Sequence, residues 1–82
     1  MSKLKVKVPK LGLTIESVIL TSWTFNEGDK VKQGDVLAIV EADKANFEIE
    51  SPSDGTLTSI FYESDNETEI SVGEVIAEIE VK

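Results

Sequence analysis

"EADKANFEIESP", Glu41 to Pro52, decides how this chain is read. The run before its centre, "VLAIV" (Val36 to Val40), is apolar and β-branched, as a buried strand is. The run after it alternates. Phe47 and Ile49 share one face, while Asn46, Glu48 and Glu50 share the other. Two strand patterns separated by a few polar residues predict a β-hairpin with Lys44 at its tip. An exposed lysine on a polar turn is ordinary, and this segment alone does not distinguish such a lysine from a functional one.

Working outward, the same grammar repeats. Apolar residues alternate or run in short blocks, and no stretch has helical periodicity. Strands are expected at 3–8, 17–24, 29–31, 36–41, 46–50, 56–62, 68–70 and 75–81. Between them, "NEGD" (Asn26 to Asp29) is a turn in which Gly28 takes positive φ. "SPSDG" (Ser51 to Gly55) is a turn with Pro52 at its second position and Gly55 closing it. Eight short strands with this punctuation predict an all-β sandwich or flattened barrel. Trp23, Phe25, Phe47, Leu57, Ile60 and the valines and isoleucines of the strands are its expected core.

The chain also contains a repeat. "GDVLAIVE" (Gly34 to Glu41) matches "GEVIAEIE" (Gly73 to Glu80), Val31 matches Ile70 at the same offset, and "TSW" (Thr21 to Trp23) resembles "TSI" (Thr58 to Ile60) at a slightly shorter one. Two copies of a four-strand unit predict two four-stranded antiparallel sheets related by a pseudo-two-fold axis. The second copy ends at Lys82 where the first leads into Asp43-Lys44. The hairpin is therefore expected at the end of the domain opposite both termini.

Composition narrows the function. The 82 residues make one domain, residues 1–82, free-standing or excised from a longer chain. There is no cysteine and no histidine, which removes disulfides, thiolate chemistry, and His-dependent triads or zinc sites. No apolar run approaches the ~20 residues that cross a bilayer. The net charge of −8 argues against nucleic acid as a partner. Residues 1–10 carry four lysines and no acid, whereas the rest carry four lysines against sixteen acids. Lys3, Lys5 and Lys7 alternate with Leu4, Val6 and Val8, so the lysines line the outer face of a first strand, expected to lie toward the termini. The acidic excess serves solubility or meets basic partners.

A lysine that acts as a nucleophile by itself is buried or sits beside another cation. Lys44 instead has Asp43, Glu41 and Glu48 for neighbours. Such a lysine is better suited as a handle that another enzyme acylates, with the acids helping that enzyme to find it.

At this point the residues resemble the lipoyl domains of 2-oxo acid dehydrogenase complexes, specifically their acyltransferase components. The resemblance runs through "VPKLGLTIES" (Val8 to Ser17), Trp23, "EGDKVKQGDVLAIVEADKA" (Glu27 to Ala45), "IESPSDGTL" (Ile49 to Leu57) and "VGEVIAEI" (Val72 to Ile79). Its specific element is the triplet Asp43-Lys44-Ala45. The resemblance implies a barrel-sandwich hybrid in which Lys44 carries lipoic acid as an amide. It implies recognition by a lipoate ligase or lipoyl transferase through Glu41, Asp43, Ala45 and Glu48. It further implies a swinging arm that takes an acyl group at a thiamine-dependent decarboxylase and delivers it to coenzyme A at an acyltransferase core. Dihydrolipoyl dehydrogenase then reoxidises the arm. The domain itself is expected to be monomeric, cytoplasmic, of bacterial type, and without catalytic residues, metal or membrane contact.

Biotinyl domains share this fold but flank their lysine with methionines, and the only methionine here is Met1. A biotin carrier, and an unmodified interaction module, are the alternatives. Three positions depart from the lipoyl pattern. Ser17 stands where glycine is usual, Ala42 replaces threonine, and no glycine opens "ESDNETEISVG" (Glu63 to Gly73). Asn66 is the expected substitute there, because asparagine tolerates left-handed backbone.

Overall fold

A computed structural model of the chain describes residues 2–12 and 14–81. It contains eight strands and, among the described residues, no helix. They are β1 (Ser2–Lys7), β2 (Ser17–Trp23), β3 (Lys30–Val31), β4 (Val36–Ala42), β5 (Ala45–Glu50), β6 (Gly55–Ile60), β7 (Glu69–Ser71) and β8 (Val75–Val81). All eight expected strands are present, with their ends shifted by a residue or two. They form two four-stranded antiparallel sheets, β1-β8-β6-β3 and β5-β4-β2-β7, which do not close into a barrel. Alternation within the strands accounts for most of the sandwich. Val40, Ile79, Leu20 and Leu57 are fully buried in this way, Leu37 and Ile76 are buried where the β4–β5 and β1–β8 registers slip, and this removal of apolar surface from water is the main stabilising term.

The repeat is a true pseudo-dyad. Exchanging β1 with β5, β8 with β4, β6 with β2 and β3 with β7 turns the first sheet order into the second. Irregularities follow the same exchange. The β2–β4 register slips between Leu20 and Ser22, and the β6–β8 register slips between Leu57 and Ser59. The extra residue is a threonine in both. Thr21 Oγ1 donates to the Ile39 carbonyl at 2.9 Å, and Thr58 Oγ1 to that of Glu78 at 3.2 Å. The bulges are common to both copies, and "TSW" and "TSI" match at a shorter offset than the later strands because the connection 61–68 is two residues longer than its twin 24–29.

Trp23 was expected in the core, with Phe25, Phe47 and Ile60. All four are only half-buried and pack on its margin. Trp23 lies beyond the bulge at the end of β2, opposite Ala38, whose small side chain leaves room for the indole. Its Nε1 donates to the Tyr62 carbonyl at 2.9 Å. A ring at the margin keeps that N–H satisfied, which full burial in so thin a core would make harder.

Gly28 has φ +97°, as expected, and Asn66 has φ +61°. Gly55 differs. It opens β6 without a left-handed backbone, opposite Val31. A Cβ there would lie 2.6 Å from Ile79 Cγ2 and would collide with the Glu80 carbonyl. The glycine is required by the close approach of β8, not by the turn.

Candidate functional site

The β4–β5 hairpin closes from the pair Ala42–Ala45, so its loop is Asp43-Lys44 alone. Both residues have positive φ, +49° and +63°. This is the two-residue turn whose twist matches that of the strands it joins. Its usual occupants are Asn-Gly, because a side chain in left-handed backbone costs about 1–2 kcal/mol. The sequence places a lysine there, against local preference. Backbone strain of this kind persists only where the surroundings impose it, and it concentrates at functional positions.

The alternation of the hairpin then sorts the neighbouring residues. Ala42 is buried beneath the turn, while Asp43, Lys44 and Ala45 are exposed. Glu41 lies opposite Asn46, and Glu48 opposite Ile39, all pointing away from the core. Glu50 lies opposite Val36 at the far end of the hairpin. The structure thus brings Glu41 and Asp43 close to Lys44, sets Glu48 farther down the same sheet, and leaves Glu50 remote.

Two neighbours were not foreseen. Residues Thr14 to Ser17 line a shallow groove with Ala42 and Asp43. Glu69 borders a second groove that includes Lys44 and Glu41. Glu69 reaches this place because β7 pairs with β2, Ile19 standing opposite both Glu69 and Glu41. Ser17 Oγ donates to Glu69 Oε2 at 3.3 Å. No local pattern in the sequence announces a contact between residues so far apart in the chain.

The distribution of charge also differs from expectation. At one end, Ser2 pairs with Val81, the position that the pseudo-dyad exchanges with Ala45–Ala42. Met1 and Lys82 lie outside the described residues. At its other end β1 reaches Val8, which bonds to Glu74 and Gly73. From there Val72 bonds to Glu16, beside the groove under Asp43. The hairpin is therefore distant from Ser2 and Val81, as expected. The lysines of β1 are not confined to that distant end but run along the whole domain, because the strand does. The strand lysines share the first sheet with Glu78 and Glu80 of β8, while the strands of the second sheet carry acids and no lysine.

Titration is perturbed away from the hairpin. Backbone N–H groups of Thr68 and Glu67, with the Thr68 hydroxyl, hold the Asp65 carboxyl down at about 2. The bond from Tyr62 Oη to Glu74 Oε2, 2.9 Å, raises the Tyr62 phenol. Among the described residues no group of three acidic side chains is placed to hold a metal ion, and no helix is long and apolar enough to cross a membrane.

Comparison with known proteins agrees with this geometry. Residues 4–79 match the family model described as "Biotin-requiring enzyme", which covers biotin and lipoyl attachment domains. Over 74 residues, 90% of this chain, the sequence is 42% identical to the dihydrolipoyllysine-residue acetyltransferase component of the pyruvate dehydrogenase complex of Acholeplasma laidlawii, and equally so to that of Zymomonas mobilis. It is 33% identical over 75 residues to the mitochondrial dihydrolipoyllysine-residue succinyltransferase component of the 2-oxoglutarate dehydrogenase complex of Saccharomyces cerevisiae. The chain spans 13%, 17% and 16% of those three proteins. With the family model matched over nearly its whole length and a hairpin that presents one lysine, the chain belongs to the biotin and lipoyl attachment family, and the three relatives named are dihydrolipoyllysine-residue acyltransferase components.

Proposed function

We propose that Lys44 is the attachment point of lipoic acid and that the domain is the mobile acyl carrier of a 2-oxo acid dehydrogenase complex. The observation that carries this reading is the left-handed backbone at Asp43-Lys44. It projects the lysine from a loop with no slack, at the end of the domain distant from Ser2 and Val81. Any chain that continues beyond Val81 leaves from the end opposite the working one.

The residues suit such a group. The Lys44 side chain is exposed, so an enzyme can enclose its amine. Ala45 is small and exposed beside it, and Ala42 is buried below, so nothing bulky obstructs approach along the turn. When bound, the lipoyl group supplies a dithiolane that accepts and releases both electrons and an acyl group. The domain's own work is to hold Lys44 out in one orientation, to limit the backbone freedom of the attachment point, and to give partners a surface to recognise. Tethering raises the local concentration of the carried group without any new contact. The partners in this reading are a lipoate ligase or lipoyl transferase, a thiamine-dependent decarboxylase, an acyltransferase core and dihydrolipoyl dehydrogenase. The absence of methionine beside Lys44 favours lipoate over biotin.

The test is intact mass after expression with lipoate and a lipoate ligase. Gain of one lipoyl group, lost in Lys44→Arg, is the expected result. A streptavidin-positive product would make the domain a biotin carrier, and an unmodified mass would leave an interaction module.

A further inference from the structure

The pseudo-dyad provides an internal control for surface chemistry, since each outward position on one sheet has a twin on the other. Across the first sheet one row reads Lys3, Glu80, Thr56, Lys30. Its twin across the second sheet reads Asn46, Glu41, Ile19, Glu69. In the next row, Lys5 opposite Glu78 becomes Glu48 opposite Ile39. Every lysine of the first sheet is replaced by an acid or an amide on the second. The polar centre, Thr56 and Glu78, is replaced by Ile19 and Ile39. Both isoleucines are half-buried and face away from the core.

Solubility alone does not produce this pattern, because it would treat the two faces alike. On the first sheet each glutamate has a cross-strand lysine, an arrangement that lowers the cost of crowding charge. On the second, Glu41 has Asn46 and Ile19 for cross-strand neighbours and no lysine. An apolar centre within a charged rim is the anatomy of a protein interface. Glu41 and Asn46 are also the last outward-facing pair before the Lys44 turn, so this face is continuous with the proposed attachment site.

We infer that the outer face of the β5-β4-β2-β7 sheet is the docking surface for the decarboxylase that loads Lys44, through a patch of that enzyme with an apolar centre rimmed by lysine or arginine. The inference rests on the carrier reading of Lys44. Strands about 4.8 Å apart and about 3.3 Å per residue give a face of only a few hundred Å², well below the roughly 800 Å² per partner of a stable complex. A small, charge-steered contact forms fast and releases fast, which suits a domain that must leave each enzyme it visits.

The experiment installs one face's chemistry on the other. Asn46→Lys with Glu69→Lys gives the second sheet the lysines of its twin. Thr56→Lys with Glu78→Lys makes the same change in net charge on the first sheet. Each domain is lipoylated, checked by intact mass and denaturation midpoint, and presented to the thiamine-dependent decarboxylase component encoded in the same genome, with pyruvate. The second-sheet variant should lose about tenfold in kcat/KM for reductive acylation at low salt, shrinking to about twofold at high salt as charges are screened. The first-sheet variant should change less than about twofold. Ile19→Thr should raise KM with kcat unchanged, because it removes contact and not chemistry. Equal effects from both faces, or none, would overturn the docking surface while leaving Lys44 a carrier. Failure of the parent domain to accept lipoate would overturn the carrier reading itself, and the inference with it. Concentration-dependent sedimentation abolished by the second-sheet substitutions would assign that face to a second copy of this chain instead.

Discussion

The strain at the hairpin tip can be measured directly. Lys44 holds φ +63°, where a side chain costs about 1–2 kcal/mol. Lys44→Gly relieves that cost but adds freedom to the unfolded chain, which opposes it by about 0.5–1 kcal/mol. The net gain spans about 0–1.5 kcal/mol and centres on about 0.75 kcal/mol. In a domain of this size a change of 1 kcal/mol moves Tm by about 4–8 °C, so the central expectation is a rise of about 3–6 °C. Lys44→Arg is the control, because it keeps a long cation and the same strained backbone while abolishing the amine. It should melt with the parent. Both variants lose the proposed attachment point, so the difference between them reports the backbone alone. Calorimetry on the three unmodified domains at one pH and salt is sufficient. If Lys44→Gly melts at or below Lys44→Arg, the turn is not strained, and the argument that function holds lysine in that position fails.

Four other outcomes are expected. Moving the lysine one place, with Asp43→Lys and Lys44→Ala together, should abolish lipoylation on intact mass while leaving the melting curve close to the parent's; full modification would show that the turn geometry is not read. Trp23→Ala should cost about 2–3 kcal/mol in urea unfolding, less than the ~3–5 of a fully buried large aromatic, because the indole is half-exposed, which outweighs the added loss of its one hydrogen bond; a larger loss would place it in the core. Gly55→Ala should destabilise by about 1–3 kcal/mol or more, because it drives a Cβ into β8; a midpoint equal to the parent's would dismiss the close approach. The Asp65 carboxyl is held near 2, below the usual 3.8, so its contribution to stability is complete above the unfolded value and is lost as pH falls from about 4 towards 2. Asp65→Asn should flatten that part of the acid-unfolding curve, and an unchanged curve would assign the acid sensitivity to other groups.

Much of this molecule is local in origin and was therefore legible in the sequence. A period of two places each strand, and Gly28, Asn66 and the turn at Asp43-Lys44 mark where the chain must reverse. The repeat announced the pseudo-dyad, because two copies of one pattern bury the same residues. Lys44 stood out since its two flanking strands pair with each other across a short loop, and a hairpin is the most local form of β-contact. Tertiary structure alone decided which strands without a short connection meet. The pairing of β1 and β6 with β8, and of β4 and β7 with β2, depends on burying both apolar faces at once, a global condition that no window of sequence expresses. From those pairings follow the approach of Glu69 to Lys44, the steric need for Gly55, the marginal place of Trp23, and the lysines of β1 lying along one sheet. The sequence recorded how much charge the chain carries; only the packing of two twisted sheets decided that the strand lysines would all lie on one sheet, among Glu78 and Glu80, and leave the other sheet's strands purely acidic.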